Sequence, residues 1–159
     1  MPEHDHRHDG HAHDGHHHNG HGHDHDGHDH DEHDHGHGPT PGTMAWLDLS
    51  VPDAAAARDF YTSVVGWTAE PAPMDGYEDW TMAGADGEAT AGICYARGEN
   101  AGLPPVWIPY FAVTDLDAAV STATKAGGAV VAGPQRDGGS GYAVLRDPAG
   151  ATFAVFQAG

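Results

Sequence analysis

The residues best equipped for chemistry stand at the N-terminus. All 16 histidines lie within residues 1–37, alternating with Asp and Gly in units such as HDH and HDGH. Neutral imidazole is a good ligand for Ni, Zn and Cu. In an extended chain residues i and i+2 point the same way, so His23 and His25, or His28 and His30, can share one ion. His21, His33, His35 and His37 continue the pattern, and the intervening aspartates can orient the imidazoles. The pattern predicts several weak, interchangeable divalent-metal sites. None of them uses a thiolate, because the single cysteine is Cys94. A solubilising polyelectrolyte is the alternative reading, and a metal buffer or chaperone a further one. After Met1 this stretch has no aliphatic residue larger than Ala12. It cannot offset its ordering entropy and is expected to form a disordered tail over 1–37. Imidazoles titrate near pH ~6.5, so solubility should worsen towards the sequence pI of about 5.0.

Residues 38–43, GPTPGT, read as an extended linker. The rest, 44–159, has no histidine and all four tryptophans. It is long enough for one core. The formal charge of −18 argues against nucleic acid and anionic membrane surfaces as partners. No apolar run is long enough to span a bilayer and no signal-peptide core is apparent, so a cytoplasmic location is expected.

Chemistry in this part depends on what its elements can position. WLDLSVPDAAAARDFYTSVVGW, from Trp46 to Trp67, reads as strand, cap, helix, stop. Leu47, Leu49 and Val51 alternate with Trp46, Asp48 and Ser50. Asp53 stands at an N-cap position and Gly66 at a helix stop. Ala57, Phe60, Tyr61 and Val64 mark an apolar helix face. The pattern returns 62 residues later: Val51 falls on Val113, Asp53 on Asp115, Gly66 on Gly128, Trp80 on Tyr142 and Ala89-Thr90 on Ala151-Thr152. Two copies of a strand-helix-strand-strand-strand unit are predicted, over 44–97 and 106–159. The first has strands over 45–51, 67–70, 79–83 and 89–96, with a loop over 71–76. The second has strands over 107–113, 129–131, 141–146 and 151–157, and a helix over 115–126. Pro104-Pro105 keeps the bridge between them irregular.

The FYTSVVGW and YFAVTDLDAA stretches, the run from Gly127 to Pro134 and the DPAG turn before the last strand resemble the glyoxalase / bleomycin-resistance / dioxygenase (vicinal oxygen chelate) superfamily. The resemblance covers 44–159. It implies an α+β fold in which paired βαβββ units curl a sheet around a shared cavity with the helices outside. It also implies a homodimer as an available assembly, and a divalent metal held by His and Glu from the first and last strands of each unit. Strand parity and the DPAG turn carry those positions onto Trp46, Gly92, Ile108 and Ala154. Shifting by one gives Leu47, Ile93, Pro109 and Phe153. Neither set offers a metal ligand, so no cofactor is expected in the domain.

Alternation assigns the remaining residues to two faces. Trp46, Asp48, Ser50, Trp80, Met82, Cys94, Ile108, Tyr110, Tyr142, Val144 and Phe156 are expected inside. Leu47, Leu49, Val51, Ile93, Phe111, Val113, Phe153 and Val155 are expected against the helices. The inner set, aromatic with few polar groups, suits a small-molecule pocket, although the same rings could simply fill a core. Asp48 is the one carboxylate among them and the candidate base or hydrogen-bond acceptor; pairing with a neighbouring Tyr is its structural alternative. Cys94 has no assigned base and reads as an inert thiol. The expectation is a small-molecule binder without the superfamily's metal centre. The alternative is a glyoxalase- or dioxygenase-type enzyme acting on a small oxygenated substrate.

Overall fold

The computed structural model describes residues 38–157. The expected metal-binding tail, His21 to His37 included, lies outside the described residues. Residues 38–43 are exposed coil and turn. Two βαβββ units follow. The first comprises β1 (Met44–Val51), α1 (Ala54–Val65), β2 (Thr68–Pro73), β3 (Glu78–Ala83) and β4 (Ala89–Tyr95). The second comprises β5 (Trp107–Val113), α2 (Leu116–Lys125), β6 (Ala129–Asp137), β7 (Ser140–Arg146) and β8 (Thr152–Gln157). One 3₁₀ turn, Gly98–Asn100, interrupts the bridge expected to be irregular. No helix among the described residues is long and apolar enough to cross a membrane.

All eight strands join one curled mixed sheet in the order β2-β3-β4-β1-β5-β8-β7-β6. Each unit pairs its first and last strands in parallel, β1 with β4 and β5 with β8. The units meet where β1 runs antiparallel to β5. The edge strands carry prolines, Pro71 and Pro73 in β2 and Pro134 in β6.

The repeat is visible in the caps. The Asp53 carboxylate accepts from the Ala56 N–H at 3.0 Å, and the Asp115 carboxylate accepts from the Ala118 N–H at 2.9 Å. Each satisfies an N–H that the first turn of a helix leaves free. The C-terminal ends match less closely. Gly66 closes α1 in the left-handed region at φ 80°, whereas in the second unit that role falls to Gly127 at φ 93°.

The helix-facing strand residues pack as expected. Ile93, with Leu47 and Val51 beside it, lies in the core cluster that includes Ala54 of α1, and Leu49, paired with Ile93, is buried as well. Val113, Phe153 and Val155 lie under α2, and Phe111 packs on Phe153. The face of α1 differs from expectation. Ala54 is fully buried, Ala57 and Tyr61 are half-buried, and Phe60 and Val64 are 58% and 65% exposed. Small alanines let the helix sit close to the sheet. Tyr61 then swings beneath it, where its hydroxyl accepts from Trp107 Nε1 at 2.9 Å and its ring meets Trp67 and Trp107. That rotation carries Phe60 and Val64 to the outside.

Two strands are longer than expected. β2 runs on through Pro73, because an edge strand tolerates proline. β6 runs to Asp137 through two register shifts rather than ending at Val131.

Candidate ligand-binding site

The centre of the groove lies where β1 and β5 cross. Asp48 is paired with Gly92 on one side and Ile108 on the other. Tyr110, 62 residues on from Asp48, is paired with Trp46 and Ala154. The four positions onto which the resemblance places metal ligands therefore flank one carboxylate and one phenol. The Asp48 Oδ1 accepts from Trp46 Nε1 at 2.7 Å. The Tyr110 hydroxyl and the Gly92 N–H also act on this carboxylate, favouring its charged form. A Cβ built on Gly92 would fall 2.2 Å from Asp48 Oδ1 and 3.5 Å from Trp46 Nε1. The carboxylate thus fills the space that a side chain at position 92 would need.

Burial raises the Asp48 carboxyl above its ordinary pKa. The hydrogen bonds from Trp46, Tyr110 and Gly92 oppose this, and the Asp79 charge adds to it. Burial, with Asp48 nearby, also pushes the Tyr110 phenol up. Tyr142 is pushed up to about 12, by burial first and by the Glu99 charge second. Both phenols therefore stay protonated at neutral pH. Cys94 faces the groove beside Ser50, and burial, with Asp48 and Asp79, pushes its thiol up. It is a poor nucleophile there.

A cavity of about 580 Å³ opens from this centre towards the β6–β7 hairpin. Trp46, Tyr110, Tyr142 and Phe156 form its aromatic walls, as their strand parity predicts. Asp48 stands behind Trp46 and Tyr110. Ile108 is buried in a core cluster with Val144, Ala154 and Leu103, against which Tyr110 and Tyr142 pack, and does not itself line the cavity. Leu103 comes from the bridge between the units.

Trp80 and Met82 are on the opposite face from the one expected. They pack with Ala54, Ala91 and Ile93 beneath α1, and Arg58 lies 4.5 Å from the centre of the Trp80 ring. The cause is one residue. Met82 pairs with Ala91 but Ala83 with Ala89, so β4 bulges at Thr90, whereas β7 and β8 pair without a break. The spacing between the two units is therefore 63 at β3. Trp80 corresponds to Ala143, not Tyr142, and its side chain faces the helix. Asp79 takes the groove face instead. It is buried and its Oδ1 accepts from the Tyr95 N–H at 2.9 Å.

Sequence reasoning also missed Glu99, Gln135, Asp137 and Pro39, which line the cavity. Glu99 accepts from the Tyr142 hydroxyl at 3.2 Å. Gln135 reaches the site because it pairs with Tyr142 in the extended part of β6. Polar residues beyond the Gly-Pro break offered the only available signal. Among the described residues, no three His, Cys, Asp or Glu side chains converge on a point suited to a metal ion.

Paired βαβββ units around one groove define a recognisable class, and the comparisons agree with it. The profile of the glyoxalase/bleomycin resistance protein/dioxygenase superfamily matches residues 43–155, and the chain belongs to that superfamily. Over 132 residues it is 39% identical to the anthracycline biosynthesis protein DnrV of Streptomyces peucetius, covering 75% of this chain and 48% of the relative. The same figures describe its match to the anthracycline biosynthesis protein DauV of Streptomyces sp. strain C5. The chain spans about half the length of these relatives. Among solved structures, the methylmalonyl-CoA epimerase of Mycobacterium tuberculosis superposes with a TM-score of 0.49 at 17% identity, over 76% of this chain and 92% of that one.

Proposed function

We propose that this is a small-molecule-binding member of the superfamily, whose groove works without a metal held by its strands, joined to a His-rich tail that binds Ni, Zn or Cu. One observation carries the reading. At the positions where the superfamily places metal ligands stand an indole, a glycine, an isoleucine and an alanine, and the space beside the glycine is filled by the Asp48 carboxylate. These residues do not fit a metal centre. What they do fit is a flat ligand stacked among Trp46, Tyr110, Tyr142 and Phe156. The names of the relatives, anthracycline biosynthesis proteins, support a planar, oxygenated aromatic molecule as that ligand.

The test compares bound metal in the full chain and in a chain beginning at Gly38, with ligand binding followed by tryptophan fluorescence. Metal bound only by the full chain, together with quenching by planar aromatic compounds in both, is the expected result. Stoichiometric metal retained by the shortened chain would overturn it.

The raised pKa of Asp48 and its contact with two cavity-wall residues favour a second reading, in which Asp48 is the base of an enzyme. Under that reading Asp48→Asn abolishes turnover and leaves ligand affinity within a few-fold. A metal supplied by the tail is less favoured, since fixing a long His-, Asp- and Gly-rich segment in one geometry costs chain entropy.

A further inference from the structure

The hydrogen-bonding character of the cavity is one-sided. A tyrosine hydroxyl has one hydrogen and two lone pairs. Tyr142 spends its hydrogen on Glu99, at 3.2 Å. Trp46 spends its N–H on Asp48. Two of the polar groups on the aromatic walls have thus directed their donors to carboxylates, and the Tyr142 phenol turns only lone pairs to a guest.

Several polar groups elsewhere on the rim are engaged by the protein itself. Arg136 is the one basic side chain among the described lining residues, and its guanidinium pairs with Asp117 of α2. Gln157 is anchored on the same helix, its Oε1 accepting from the Leu116 N–H at 2.9 Å. The Ser140 hydroxyl donates to the Asp137 carbonyl at 2.9 Å. Arg97 and Arg58 are stacked on Tyr77, Tyr95 and Trp80, away from the cavity. What faces a ligand is therefore aromatic ring faces, phenol oxygens, the neutral amide of Gln135 and the negative charges of Glu99 and Asp137, with Asp48 behind them. Ring faces and carboxylates both attract positive charge, while among the described lining residues an anion would meet the neutral Gln135 amide and no basic side chain other than the Asp117-paired Arg136.

We infer that the cavity selects an aromatic cation, a planar ring system carrying a protonated amine, with the ring between Trp46 and Tyr142 and the ammonium towards Glu99 and the Tyr110 and Tyr142 oxygens. This deepens the binder reading and rests on it.

Two matched probes test it with the full chain in physiological salt: the 9-aminoacridinium cation and anthracene-9-carboxylate, both titrated by fluorescence. The cation is expected to bind at least about tenfold more tightly, a difference of ~1.4 kcal/mol. Glu99→Gln should narrow that ratio by threefold or more. Glu99 is exposed, so the change leaves the fold intact, and general attraction of cations to the acidic tail would not respond to it. Equal affinities, or a preference for the carboxylate, overturn the charge selection while leaving an aromatic binder. A preference for the cation that Glu99→Gln does not alter overturns the placement in this cavity. If neither probe binds, the underlying binder reading fails, and the inference with it.

Discussion

Asp48 and Gly92 are mutually dependent. A methyl group at position 92 would lie 2.2 Å from Asp48 Oδ1 and would expel the carboxylate from its hydrogen bond with Trp46. Gly92→Ala should therefore cost about 1–3 kcal/mol in urea unfolding. Asp48→Ala in the same chain should return part of that loss, with a coupling energy above about 0.5 kcal/mol in a double-mutant cycle. A second expectation concerns protons. Burial raises the Asp48 pKa in the folded chain, so the folded state holds this proton more tightly than the unfolded state. The contribution of Asp48 is most favourable at low pH and is lost as the pH rises through the folded pKa. Asp48→Asn keeps an acceptor for Trp46 and removes the charge. It should be at least as stable as the wild type at pH 7, and its advantage should shrink towards pH 4, measured by urea titration at each pH. Asp48 was legible in the sequence because a lone carboxylate in an alternating apolar strand is conspicuous. Its partnership with Gly92 was not, since nothing in a linear pattern says that a glycine's missing side chain makes room for a residue on the neighbouring strand.

The elements themselves were largely legible, because cap and helix recur at a fixed interval in both units, with the left-handed stop one residue earlier in the second. Asp53 and Asp115 make equivalent contacts. Replacing either with Ala should cost ~1 kcal/mol, and the two losses should add. The faces were harder to read. One extra residue at Thr90 reverses the parity of β3 and moves Trp80 and Met82 from the groove to the helix. The repeat in the sequence points the wrong way here, because at a spacing of 62 Trp80 falls on another aromatic residue, Tyr142, whereas the true partner at 63 is Ala143. The helix face failed for a different reason. Apolar periodicity in α1 points to Phe60 and Val64, but close packing of alanine selects a face centred on Ala54, Ala57 and Tyr61. Phe60→Ser should thus cost less than about 1 kcal/mol, whereas Leu116→Ala, at the fully buried start of α2, should cost about 2–5 kcal/mol. Thermal or urea unfolding of the two variants would test the contrast.

For the whole molecule, charge divides unevenly along the chain. All sixteen imidazoles belong to residues 1–37, while the domain's net charge is negative and has no histidine to change it. Acidification therefore turns the first part cationic and leaves the second anionic. Turbidity of the full chain should rise as the pH falls from 7 towards the sequence pI of about 5.0, and a chain beginning at Gly38 should be less affected over the same range. Association by strand addition is a separate matter. Duplication within one polypeptide leaves the eight-stranded sheet with only two margins, and both carry proline, at Pro71 and Pro73 on one side and Pro134 on the other. A strand arriving from a neighbouring molecule would find amide hydrogens missing along its path. Fibre-like growth by strand addition is thereby discouraged at both ends, so that any assembly of copies must rely on side chains rather than on backbone pairing.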